Sequence, residues 1–181
     1  GPRHHEHPVR CVGRAEHEHR LAVTAADLGD LKKRLDRAQA GAELPGVFRG
    51  RAPGDPPPLA FLYAGQGAQH AGMGQDLSRV SPVFRRALEE AEAALAPHLP
   101  GALFDRLWGD QSAELSETHW AQPALFAIEV ALGALWRSYG ITPSIVLGHS
   151  VGELAAAAIA GLLSLEDGAR LVATRGLAMT E

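Results

Sequence analysis

The residues whose types and spacing could do chemistry centre on Ser150. Ile145-Val-Leu147 is an apolar run that enters Gly148-His-Ser-Val-Gly152 and passes straight into an alanine-rich stretch from Glu153. This composition predicts a strand, a sharp turn and a helix, with serine at the apex, which is the nucleophile-elbow pattern G-x-S-x-G. The flanking glycines leave room for a strained turn that side chains would crowd. A serine so mounted presents its Oγ at the positive end of the following helix, as covalent catalysis requires. A second candidate is Ala64-Gly-Gln-Gly-Ala-Gln-His-Ala-Gly-Met-Gly74, so rich in glycine that its backbone must approach something closely. It lacks the Gly-Lys-Ser/Thr ending of a phosphate loop, and no helix is expected to open on its last glycine, so nucleotide binding is not favoured. A third is the cluster His4, His5, His7, His17 and His19 around Cys11. Its spacing fits no zinc pattern, so no metal is expected there.

Composition limits what these residues can serve. The chain of 181 residues is long enough for a proper core, and 46% of it is hydrophobic, as in globular proteins. A net charge of -4, without a basic cluster interleaved with aromatics, argues against nucleic acid as a partner. One cysteine cannot form an internal disulfide, which suits a reducing cytoplasm. No run reaches the roughly 20 apolar residues of a membrane span, and the N-terminus lacks a signal-peptide layout. A cytoplasmic protein with no membrane association is the expectation.

The elements that must position Ser150 follow from periodicity. Residues 1–19 read as a weakly ordered tail, with a short strand at 9–12. Residues 20–58 read as a small α+β unit: a strand at 21–24, a helix start signal at Thr24-Ala-Ala-Asp27, a face of Leu28, Leu31, Leu35 and Ala38 closed by Gly41, and a returning strand at 47–51. The stiff Pro53-Gly-Asp-Pro-Pro-Pro58 then marks a domain boundary. From Leu59 the order is a buried strand at 59–63, the glycine loop, and a helix from Ser81-Pro82 with Phe84, Leu88, Ala91 and Leu95 inward. Glu89, Glu90 and Glu92 form its solvated side. A helical turn at 103–108 and a polar connection at 110–118 follow. A helix opened by Pro123 runs to about Tyr139, apolar nearly all round, with Leu125, Ile128, Leu132, Leu135 and Tyr139 in register. Glu129 on it is either paired or at an exposed edge, with no reason to be catalytic. The serine strand comes next, then a helix over 153–163 and a capped helix from about Leu165 to the end. This alternation implies an α/β layered domain with a mostly parallel sheet.

Four motifs in order, Phe61-Leu-Tyr-Ala-Gly-Gln-Gly-Ala-Gln69, Gln122-Pro-Ala-Leu-Phe-Ala-Ile-Glu129, Gly148-His-Ser-Val-Gly-Glu153 and Arg175, resemble the acyltransferase domain of type I polyketide synthases, of the malonyl-CoA:acyl carrier protein transacylase family. The resemblance implies an α/β-hydrolase-like fold, of which residues 59–181 are the N-terminal part. Residues 20–58 resemble the linker between ketosynthase and acyltransferase. It further implies that Ser150 takes a malonyl group from malonyl-CoA as an ester and passes it to the phosphopantetheine thiol of an acyl carrier protein, with no bound cofactor. The Gln66 and Val151 N–H groups would form the oxyanion hole, Arg175 would hold the malonyl carboxylate and Gln122 would line the same pocket. His149 would sit beside the substrate and pack or hydrogen-bond there without acting as base. From position alone Arg175 reads as a surface arginine near a helix C-terminus; the resemblance reverses that. Val151 and Glu117-Thr-His-Trp-Ala-Gln122 resemble the malonyl-selective branch.

In that family the base is a histidine well downstream of the serine, and the sequence ends at Glu181. The expectation is therefore an N-terminal portion completed by a second chain or cut from a longer one, working beside ketosynthase and other synthase domains. Two alternatives stay open. A serine esterase or thioesterase could use the same elbow, though it would not explain Gln66 or Arg175. A non-catalytic fragment would explain the absent base.

Overall fold

A computed structural model describes residues 17–52, 54–55 and 57–180. The chain divides into two compact units, Gly1–Pro57 and Pro58–Glu181. The expected strand at 9–12, His4, His5, His7 and Cys11 lie outside the described residues. Among the described residues no group of three or more His, Cys, Asp or Glu side chains is placed to hold a metal, and no helix is long and apolar enough to cross a membrane.

The first unit contains β1 (His19–Val23), α1 (Leu28–Gln39) and β2 (Val47–Arg51). The strands pair antiparallel, with Leu21 opposite Arg49. The helix begins later than the Thr24 signal implies. Asp27, in extended backbone, accepts the Asp30 N–H at 2.8 Å, while the Asp30 carboxylate accepts the Ala26 N–H at 3.1 Å. The two acids thus cap the helix reciprocally. Thr24 instead donates its hydroxyl to the Gly46 carbonyl at 3.3 Å, beside the end of the hairpin. The expected apolar face is only partly covered: Ala38 is buried, but Leu28, next to the cap, is exposed.

The second unit holds β3 (Ala60–Tyr63), α2 (Gln75–Val80), α3 (Pro82–Leu95), α4 (Leu103–Trp108), α5 (Thr118–Ser138), β4 (Ile145–Gly148), α6 (Gly152–Ile159) and α7 (Leu165–Ala178). β3 and β4 pair parallel with Leu62 beside Leu147 and Tyr63 beside Gly148. Both strands therefore end level, and the turns that leave them begin side by side. On one face of this pair Phe61, Tyr63 and Val146 join a core made by α3, α5, α6 and α7. α3 follows its sequence: Ser81 accepts the Phe84 N–H at 3.3 Å, Pro82 occupies the first turn, and Phe84, Leu88, Ala91 and Leu95 are buried. The same holds for α7, where Ser164 accepts the Asp167 N–H at 3.0 Å.

Several expectations are corrected. A short helix, α2, does open on Gly74, because the glycine loop is pinned beneath it: Gly72 N–H donates to the Leu107 carbonyl at 2.8 Å and the Trp108 indole to the Met73 carbonyl at 2.9 Å. The polar connection contains a 3-10 turn over Ser112–Ser116. α5 starts at Thr118, not at Pro123, because the Glu117 carbonyl accepts from Trp120 and Ala121 at 3.0 and 2.8 Å and so closes an earlier first turn. Pro123 is tolerated inside the helix, where it withholds one N–H from the His119 carbonyl. Tyr139, expected on the buried stripe, is exposed at the end of α5. Of the two alternatives for Glu129 the exposed edge is excluded: it is buried and hydrogen-bonded. α6 ends at Ile159, four residues before the expected limit, where the chain turns at Gly161.

Candidate active site

Ser150 sits at the apex of the turn from β4 into α6. Its φ of 55° makes it the one non-glycine residue in the left-handed region among the described residues. Backbone of this kind costs on the order of 1–3 kcal/mol and persists only where its surroundings hold it. Here the clamp is the neighbouring turn. A Cβ on Gly152 would lie 2.6 Å from the carbonyl oxygens of both Tyr63 and Ala64, so only glycine lets the elbow press against the end of β3. The His149 N–H donates to the Tyr63 carbonyl at 3.0 Å. Its ring packs on Gly65, where a Cβ would come within 2.3 Å of Nδ1. His149 is thus a packing residue between the two turns.

Arg175, in the last turn of α7, reaches back over the elbow. Its Nη2 donates to Ser150 Oγ at 3.0 Å and its Nη1 to Gln122 Oε1 at 2.5 Å. Gln122, 1% exposed, donates its Nε2 to Gln66 Oε1 at 3.2 Å and to Met179 Sδ at 3.4 Å. Gln66 in turn donates to Thr118 Oγ1 at 3.1 Å. One hydrogen-bonded chain therefore joins α5, the loop after β3, α7 and the serine turn. Among the described residues no carboxylate pairs with Arg175, so its charge is met only by neutral acceptors. That leaves a half-buried guanidinium able to receive an anion by two parallel donors. Among the described residues the N–H groups of Gln66 and Val151 have no acceptor within the chain.

Residues 60–181 match the family model described as acyl transferase domain. The chain belongs to the acyl transferase domain family. It is 46% identical over 171 residues to the spectinabilin polyketide synthase system protein NorC of Streptomyces orinoci, a match covering 94% of this chain and 8% of that protein. The acyltransferase domain from the second module of the salinomycin polyketide synthase matches with a TM-score of 0.81 and 48% identity, over 90% of this chain and 38% of that one. A malonyl-transacylase solved in complex with its type II polyketide acyl-carrier protein matches with a TM-score of 0.60 and 35% identity, over 68% of this chain and 39% of that one. The chain spans about two fifths of the solved acyl transferases it matches.

The structure also involves side chains to which the sequence assigns no role of their own. Thr118, inside the 117–122 stretch, accepts from Gln66 at one end of the hydrogen-bonded chain, and Met179, which carries no local signal, branches from it at Gln122. Glu129 is 8% exposed and accepts the Ala64 N–H at 2.6 Å through Oε1, while its Oε2 is buried without a partner. Burial pushes its carboxyl up to about 7, against the opposing pull of the Ala64 N–H. Burial likewise pushes the Tyr63 phenol up to about 12; its hydroxyl is also buried and unpartnered. A signal for Glu129 was present: it is the single acid in a mostly apolar helix, seven residues after Gln122.

Proposed function

We propose that this acyl transferase chain bears the nucleophile and carboxylate clamp of a malonyl-CoA:acyl carrier protein transfer site in polyketide biosynthesis. The observation that carries the reading is Arg175, which bridges Ser150 Oγ and Gln122 Oε1 without a carboxylate partner among the described residues. A malonyl carboxylate would take the place of Ser150 Oγ on the guanidinium and so leave the hydroxyl free beside the thioester carbonyl. Ser150 Oγ attacks that carbon, the carbon–sulfur bond breaks, and coenzyme A leaves as its thiol. The phosphopantetheine thiol of an acyl carrier protein then attacks the ester carbon, and Ser150 recovers its proton. The Gln66 and Val151 N–H groups, which have no acceptor among the described residues, suit the oxyanion of both steps, where one donor contributes roughly 3–4 kcal/mol.

The serine proton needs a base. His149, packed on Gly65, is not in hydrogen-bonding contact with Ser150, so the reading assigns the base to a histidine of the remaining part of the domain, as the resemblance implies. Val151 and the 117–122 stretch favour malonyl over methylmalonyl. The partners are an acyl carrier protein, ketosynthase and other synthase domains, and the complementary part of the acyltransferase. Residues 20–58 act as the linker unit, and the setting is cytoplasmic. Incubation of the complete domain with malonyl-CoA, followed by intact mass, tests the reading. A malonyl adduct that Ser150→Ala abolishes and that a carrier-protein thiol discharges is expected. Release of free malonate without an adduct would assign an esterase instead, and no turnover at all would remove the catalytic reading.

A further inference from the structure

We infer that Glu129 is a positioning residue: from the middle of α5 its carboxylate fixes the Ala64 N–H, and so the backbone that presents Gln66 beside Ser150. The inference rests on the malonyl-transfer reading above. Gln122 and Glu129 are seven residues apart on one helix, which is close to two full turns, so both project from the same stripe. Gln122 holds the Gln66 side chain at 3.2 Å and Glu129 holds the Ala64 backbone at 2.6 Å. One helix face therefore grips the loop after β3 at two points, on either side of Gly65.

Packing alone does not account for an acid here. Glu129 is 8% exposed, among helix neighbours that are buried and apolar. A carboxyl in such surroundings is costly unless its hydrogen bond repays the lost hydration. Among the described residues only Oε1 has a partner, the Ala64 N–H at 2.6 Å. What that bond protects is position. Ala64 touches the elbow directly, since its carbonyl oxygen is one of the two atoms that bar a Cβ from Gly152. A loop that slides at Ala64 would therefore misplace the Gln66 donor relative to Ser150.

Two conservative variants in the full-length protein that carries these residues test this. Glu129→Gln keeps an oxygen at the same reach, whereas Glu129→Asp keeps the acid and withdraws it by one methylene. Misplacement of a reacting group by about 1 Å can cost roughly 100-fold. Glu129→Asp should therefore lower kcat for malonyl transfer by roughly 10- to 100-fold at unchanged KM for malonyl-CoA, and Glu129→Gln by no more than about threefold. The Ala64 amide should exchange hydrogen faster in Glu129→Asp and at the parent rate in Glu129→Gln. The reverse order of the two variants, or a change in KM alone, would overturn the inference. If the parent protein transfers no malonyl group, the transfer reading fails separately and amide exchange decides: an Ala64 amide equally protected in Glu129→Asp overturns the positioning role.

Discussion

On the proposed malonyl-transfer reading Arg175 selects the acyl group, because its two donors lie between a neutral amide oxygen and the serine hydroxyl. Hydrogen bonds to a charged partner contribute about 1.5–3 kcal/mol, or roughly 10- to 100-fold in rate. Arg175→Ala should therefore slow malonyl loading of Ser150 by that factor and leave acetyl loading nearly unchanged, since acetyl has no carboxylate. Single-turnover loading from the two thioesters measures it, and equal losses would remove the clamp. Arg175→Lys should restore only part of the rate, because an ammonium cannot offer the planar fork. Ser150 was legible in its own five residues, since the strained turn is encoded locally. Arg175 was not. Its contact with Ser150 spans 25 residues, and at a helix end an arginine is ordinarily explained by the macrodipole. Only the resemblance of four ordered motifs singled it out.

At the scale of elements, the β3 and β4 turns are pressed together, and α5 is the surface they rest on. Gly152→Ala would drive a Cβ to 2.6 Å from two backbone oxygens, neither of which can swing aside as a side chain could. Overpacking of this kind costs about 1–3 kcal/mol, and denaturant melts should show that loss together with slower acylation of Ser150. Glu129 contributes a pH dependence of its own. Its carboxyl in the folded chain holds its proton up to about 7, above its ordinary value of 4.5, so the folded state binds that proton more tightly than the unfolded one. Stability from this group is full below about 4.5 and is lost as pH rises through about 7. Burial pushes the phenol of Tyr63, the ionisable neighbour on β3, up to about 12, so it does not mask that window. Thermal melts at pH 5 and pH 8 should differ more for the parent than for Glu129→Gln, and equal slopes would contradict the shift. Helix stripes such as Phe84, Leu88, Ala91 and Leu95 were readable because periodicity reports burial directly. The start of α5 was misread because Pro123 imitates a first-turn proline. Glu129 was given no role because its partner is a backbone N–H 65 residues away, which no side-chain pattern reveals.

For the molecule as a whole, the parallel pair β3–β4 is covered on only one face. Leu62 is 76% exposed, Ile145 53% and Leu147 57%, and the register sets Leu62 beside Leu147 and Ala60 beside Ile145 on the same side. Parallel sheets are ordinarily buried on both faces, and a contiguous apolar patch of this kind marks a contact surface. The solved acyl transferases are about two and a half times as long as the stretch this chain matches, and on the proposed reading the remaining part of the domain covers this face. A neighbouring groove of about 680 Å³, lined by Leu59, Leu62, Tyr63, Glu129, Leu132 and Trp136, runs between β3 and α5. Replacing Leu62 and Leu147 together by lysine places two charges on the bare face and removes no atom from the buried one. The double variant of this chain should melt within a few degrees of the parent yet fail to bind a polypeptide carrying the remaining part of the domain, as read by sedimentation of the mixture. Undiminished binding would mean that the complement docks elsewhere. A melting transition that collapses would mean that these leucines belong to the core already formed by residues 58–180.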